Sequence, residues 1–153
     1  MSKPRHILTQ PHHLAARFFV SLSPRPPEPE EEAWAQSQLL PGELELWKQM
    51  SNQDRRHSAT VARRFAVARP EATRAELAGA LLHDVGKIEC GLGTWGRVAA
   101  SIVGRRGRRF TLYHDHERIG ADLAAAAGSA PETVDLIAER GPVFATMHAC
   151  DRA

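Results

Sequence analysis

From Trp34 to the last residue the apolar positions of this chain recur at helical spacing, and no stretch alternates apolar and polar residues at the two-residue period of a half-buried strand. The expected fold is therefore all-α. Helices are predicted over 33–50, 53–68, 74–89, 94–103, 115–127, 131–139 and 142–151. Thr73 with Glu76, and Ser129 with Glu132, have the Ser/Thr-x-x-Glu spacing of a capping box, in which each side chain answers a backbone N–H that the helix leaves open. Pro131 suits a first turn, where its missing N–H costs nothing.

Residues 1–32 read differently. The apolar cluster "LAARFFVSL" suggests a docked N-terminal segment, and "SPRPPEPEEE" a surface linker whose prolines argue against regular structure; residues 33–153 then form a single helical domain. Twenty Lys and Arg against eighteen Asp and Glu leave a net charge of only +2, so an anionic partner would have to be recognised by a local cluster. The apolar runs are shorter than a membrane span and "LAARFFVSL" lacks a cleavage site, so no membrane partner and a cytoplasmic location are expected. Cys90 and Cys150 lack the paired spacing of a zinc or redox site and read as small core residues.

Against this background the stretch "LLHDVGK", residues 81–87, is costly. Asp84 falls on the apolar stripe of Leu77, Leu81 and Ile88, and a buried carboxylate without a partner costs several kcal/mol or takes up a proton. It requires a cation, a metal or dedicated donors. His83 projects about 100° away around the helix, within reach of the same ion. His57 extends the stripe of Val61 and Phe65, His116 heads that of Ile119 and Leu123, and Asp151 follows Phe144 and Met147 on an inner face. Taken singly, each is an ordinary satisfied core polar residue. Aimed together into one small helical core, they call for a divalent ion to offset their desolvation.

His57, the His83–Asp84 pair and the distant Asp151 resemble, in order and separation, the H…HD…D signature of the HD superfamily of metal-dependent phosphohydrolases. The resemblance covers roughly residues 50–153, with "DRRHSATVARRF" similar to that family's first ligand helix and "HERIGADLAAAAG" to its H-E-x-x-G-A helix. It implies a helical bundle around a central metal site, with His57, His83, Asp84 and Asp151 as ligands and Asp84 also catalytic. Two-metal members carry further histidines where this chain has Glu139 and Arg140 in "DLIAERG", so one divalent ion is expected, whether Mn, Fe, Co, Ni, Zn or Mg. Some nucleotidases of the superfamily use an acidic residue near the HD pair. Here that place holds Lys87, which leaves His116 or His114 to handle protons.

Lys87 is placed either to meet a phosphate oxygen or simply to face solvent. The run "GRRGRRFTLYHDH" crowds Arg105, Arg106, Arg108 and Arg109 near His114; it is either a phosphate-gathering loop or a solvated connection. Trp95 and Phe110 would stack on a base or pack in the core. The function expected from these residues and the resemblance is hydrolysis of a small phosphorylated substrate, a nucleotide among the candidates, by metal-activated water. The rivals are a catalytically silent metal-binding or ligand-sensing module, and an RNA-associated helical domain that uses the arginine loop. For the last, nucleic acid is the less expected partner.

Overall fold

The computed structural model describes residues 23–90 and 115–153; there the chain is all-helical, with no strand among the described residues. The first helix, α1 (Pro29–Ser37), starts inside the stretch expected to be an irregular linker. Pro29 sits in the first turn, where its missing N–H is no loss, and Glu30, Glu31 and Glu32 face the positive end of the helix dipole. The expected single helix over 33–50 is two, because Pro41 holds Leu40 in an extended conformation and opens α2 (Pro41–Gln49). Glu32, expected in the linker, instead ties three helices together. Its Oε1 accepts from Trp47 Nε1 at 2.9 Å, Arg55 Nη1 at 2.9 Å and Gln36 Nε2 at 2.8 Å.

Helix α3 (Asn52–Ala68) is opened by Ser51, whose hydroxyl oxygen accepts from the Asp54 N–H, and it buries Val61, Ala62 and Phe65. Upstream, Arg56 donates to the carbonyls of Ser23 and Arg25, and Asn52 to that of Pro24, pinning residues 23–25 along α3. The capping box of Thr73 and Glu76 forms as expected and opens α4 (Arg74–Leu82). The Ser129–Glu132 box does not form: Ala130 is the N-cap of α6 (Pro131–Ile137), and the buried Ser129 hydroxyl has no hydrogen-bond partner.

Helix α4 also ends sooner than the apolar period predicts. The α conformation stops at Leu82, and Val85–Cys90 form a 3₁₀ helix. The cause lies across the core in α5 (His116–Ala126). A Cβ at Gly86 would stand 1.8 Å from the His116 carbonyl oxygen, and one at Gly120 would stand 3.0 Å from Gly86 N. Two backbones cross here almost in contact, which only glycine permits. The crossing brings the turn after α4 onto the first residue of α5.

The last helix, α7 (Phe144–Asp151), packs along α3. One apolar core is shared by the seven α-helices among the described residues, from Ala35 through Trp47, Phe65, Leu81, Ala124 and Leu136 to Met147 and Cys150. Cys150 is a buried free thiol, in keeping with a packing role. No described helix is long and apolar enough to cross a membrane.

Candidate metal centre

His83 is the C-cap of α4, and its Nδ1 lies 2.8 Å from the Ala80 carbonyl. A carbonyl can only accept, so Nδ1 carries the proton of this bond and the lone pair of the neutral ring is on Nε2. That nitrogen points to Asp151 Oδ1 at 3.5 Å and Asp84 Oδ2 at 3.7 Å. His57 Nε2 meets the same Asp151 oxygen at 2.7 Å. Ligand atoms of His57, His83 and Asp151 all lie within 4.8 Å of one another, the spacing of groups able to share one ion. Two helices and a helix end thus converge: α3 supplies His57, α7 Asp151 and the end of α4 His83.

Asp84 stands beside this trio. It is buried, as expected, but its Oδ2 is held at 2.6 Å by Lys87 Nζ, and its Oδ1 lies 3.4 Å from His116 Nε2. The 3₁₀ turn places Lys87 back over Asp84, and the Gly86–Gly120 crossing seats His116 against it. Lys87 is therefore not the solvent-facing lysine of the simpler expectation. His57 needs a correction in the other direction. Its side chain is 44% exposed, so it is no core residue: the buried face of α3 runs through Asp54, Ser58, Val61, Ala62 and Phe65, and His57 stands at the side of that face.

Asp151 is held below the usual carboxylate range by hydrogen bonds from His57 and then His83, against a smaller opposing effect of burial. Burial would raise Asp84, yet Lys87, His83 and His116 hold it well below its ordinary value. For His83, burial disfavours the charged ring, but Asp84 and Asp151 outweigh it and the pKa rises. His116 rises for a similar reason: burial lowers it, and the contact with Asp84 prevails. Protons and Lys87 supply the positive charge this site attracts.

These residues line a cleft of about 250 Å³ with an apolar floor of Leu136, Ile137, Phe144 and Met147. Glu117, Glu139 and His148 also line it; none of the three was singled out from the sequence as a site residue. Glu139 has a left-handed backbone (φ 59°) at the turn after α6. A larger groove, about 600 Å³, lies between residues 23–28 and α3, and two of its charged groups are already engaged, Arg56 with carbonyls and Glu31 with Arg63. The smaller cleft is the candidate site because acid, base and ligand atoms converge there. Arg105, Arg106, Arg108, Arg109 and His114, together with Trp95 and Phe110, lie outside the described residues. Comparison of the chain with protein-family models, curated proteins and solved structures finds no match.

Proposed function

We propose that this chain is a metal-dependent phosphohydrolase of the HD type, a single-domain helical bundle built around one divalent ion and acting in the cytoplasm on a small phosphorylated substrate such as a nucleotide. The observation that carries the reading is the convergence of His57, His83 and Asp151, whose ligand atoms lie within 4.8 Å of one another. Two imidazoles and a carboxylate suit Mn, Fe, Co, Ni or Zn better than Mg, which prefers an all-oxygen shell. Once bound, such an ion would supply an acidified water and polarise a phosphate oxygen.

The remaining groups take complementary parts. His83, fixed by its bond to Ala80, presents Nε2 without reorienting. Asp84 lies 3.7 Å from His83 Nε2, close enough to act as a fourth ligand or to accept a proton from the attacking water. Lys87, steadied by Asp84, offers an ammonium to a phosphate oxygen in the cleft. His116, whose charged form Asp84 favours, donates a proton to the leaving oxygen. Arg105, Arg106, Arg108, Arg109 and His114 gather the anionic substrate on this reading.

Turnover of p-nitrophenyl phosphate, its diester and a nucleoside triphosphate, measured with Mn²⁺, Ni²⁺ or Co²⁺ and after chelation, tests the proposal. Hydrolysis that requires the ion is expected; a chain that binds no ion on reconstitution would sink it. One feature favours the silent metal-binding module. Lys87 on Asp84 at 2.6 Å and His57 on Asp151 at 2.7 Å already give both carboxylates a close partner. Ion binding without turnover of any of the three esters would select that reading.

A further inference from the structure

The carboxylate that completes the trio comes from the last turn of α7, where carbonyls have no partner within the helix and the backbone tends to fray. Within α7 that turn carries only one basic residue, His148. A permanently charged group arrives from another helix. Arg64 of α3 donates from Nη1 to the Cys150 carbonyl at 3.3 Å and to the Ala153 carbonyl at 2.9 Å, on either side of Asp151 in sequence. Its guanidinium thus sits at the negative end of the α7 dipole as well as answering two open carbonyls.

Arg64 follows His57 by seven residues, so both side chains leave the same face of α3 two turns apart. One helix therefore grips α7 twice. His57 takes the Asp151 side chain at 2.7 Å, and Arg64 takes the backbone around it. The Met147 and Cys150 side chains fix how deep α7 sits in the core, but a buried apolar contact does not fix the rotation of a terminal turn. We infer that Arg64 is a positioning residue of the metal centre: by holding the last turn of α7 it sets Asp151 Oδ1 at the point that His57 and His83 both reach. The inference rests on reading His57, His83 and Asp151 as ligands.

Two full-length variants test it. Arg64→Met keeps the apolar stem and removes the donors; Arg64→Lys keeps a charge and a donor. Calorimetric titration with Mn²⁺ should show affinity falling about 10- to 100-fold in the Met variant, the range for losing an outer contact to a metal ligand, and largely recovering in the Lys variant. When saturated with Co²⁺, the Met variant should show an altered visible absorption spectrum and the Lys variant the parent's. A merely structural role would lower the melting temperature and leave the saturated spectrum alone. In chelated protein, amide exchange should quicken over residues 147–152 in the Met variant, while residues 76–82 of α4 keep the parent's rates. Parent-like Mn²⁺ affinity and spectrum in the Met variant would overturn the inference, as would exchange raised equally in both segments. Should the parent chain bind no Mn²⁺, the metal reading fails by itself and exchange decides the role of Arg64: unchanged protection over 147–152 refutes it. If the Met variant does not fold, the Lys variant decides by the same readings: parent-like values are expected, and an altered Co²⁺ spectrum or quickened exchange over 147–152 would count against the inference.

Discussion

Asp151 and Asp84 face the same cleft and are kept charged by different means. Asp151, with 32% of its side chain exposed, is met by two imidazoles, His57 at 2.7 Å and His83 at 3.5 Å. Asp84, with 6% of its side chain exposed, is met at 2.6 Å by the ammonium of Lys87 and at 3.4 Å by His116. On the metal reading, an ion arriving beside Asp151 would have only imidazole contacts to displace, whereas beside Asp84 it would have to displace or accommodate the Lys87 ammonium. The Asp151 side is thus the exchangeable half of the site. The Asp84 side is a preformed pair that sets the local field and holds Lys87 and His116 in place.

The largest expected effect separates the two carboxylates directly. Asp151→Ala should weaken Mn²⁺ binding by more than about 100-fold, since losing a ligand costs more than losing an outer contact. Asp151→Asn should fall between, keeping an oxygen but not its charge. Asp84→Asn should lose less than about tenfold in affinity while turnover collapses, because its main partners are Lys87 and His116. Isothermal titration paired with circular dichroism reads all three, and equal losses at both positions would erase the distinction.

Next in size is the crossing that seats the Asp84 half. In Gly86→Ala the new Cβ would lie 1.8 Å from the His116 carbonyl oxygen, backbone against backbone, whereas in Gly79→Ala it would meet the movable Leu136 side chain at 2.9 Å. Overpacking of the first kind costs about 3 kcal/mol or more, and the second about 1 kcal/mol. Thermal denaturation should rank them in that order, and the Gly86 variant should also lose His116 from the site. A smaller cost is expected for Lys87→Met, on the order of 2 kcal/mol in chelated protein, because Asp84 is left buried without its nearest cation. Mn²⁺ should restore more of the melting temperature in this variant than in the parent. An unchanged melting temperature in chelated Lys87→Met would show that Asp84 does not depend on the ammonium.

Much of the helical layout was legible because it rests on local rules: the period of the apolar residues, the Thr73–Glu76 box and the proline at the start of α6. Asp84 was legible as buried because its place on the Leu77–Leu81 stripe survives the change of helix type. What escaped depends on contacts distant in sequence. The end of α4 at Leu82 follows from the approach of Gly86 to His116, thirty residues on, and the helical period is silent about such an approach. Glu32 looked like linker because its partners, Trp47 and Arg55, come from two later helices. His57 looked buried because Val61 and Phe65 alone define the stripe too loosely: Asp54, Ser58 and Ala62 centre the buried face away from it. For Glu117 a signal was present: it neighbours His116 at the first turn of α5, facing the same cleft. For Arg64 the signal was its spacing from His57.

The smallest expected effect distinguishes the two halves by pH. In chelated protein His83 and His116 have pKa values raised above their ordinary one, so each stabilises the fold fully below about pH 6.5 and loses that contribution as pH rises through its folded value. Asp84 and Asp151 are lowered, so each stabilises above about pH 4 and loses its contribution as pH falls toward its folded value. Chelated protein should therefore be most stable between about pH 4 and 6.5 and weaken on both sides. A divalent ion changes only one arm. It needs neutral imidazoles at His57 and His83, so its stabilisation grows as pH rises through the range where chelated protein is losing its own. The gap between the melting temperatures of Mn²⁺-loaded and chelated protein should widen from pH 5.5 to pH 8, by about 2–4 °C for each ~1 kcal/mol of linkage in a chain of this size. In Asp151→Ala the gap should vanish at every pH, because the exchangeable half is gone. In Asp84→Asn it should persist but open at lower pH, since His57, His83 and Asp151 remain while His83 loses the carboxylate that raises it most. A gap that stays flat with pH in the parent chain would mean that no proton leaves when the ion binds, and imidazoles could not then be its ligands.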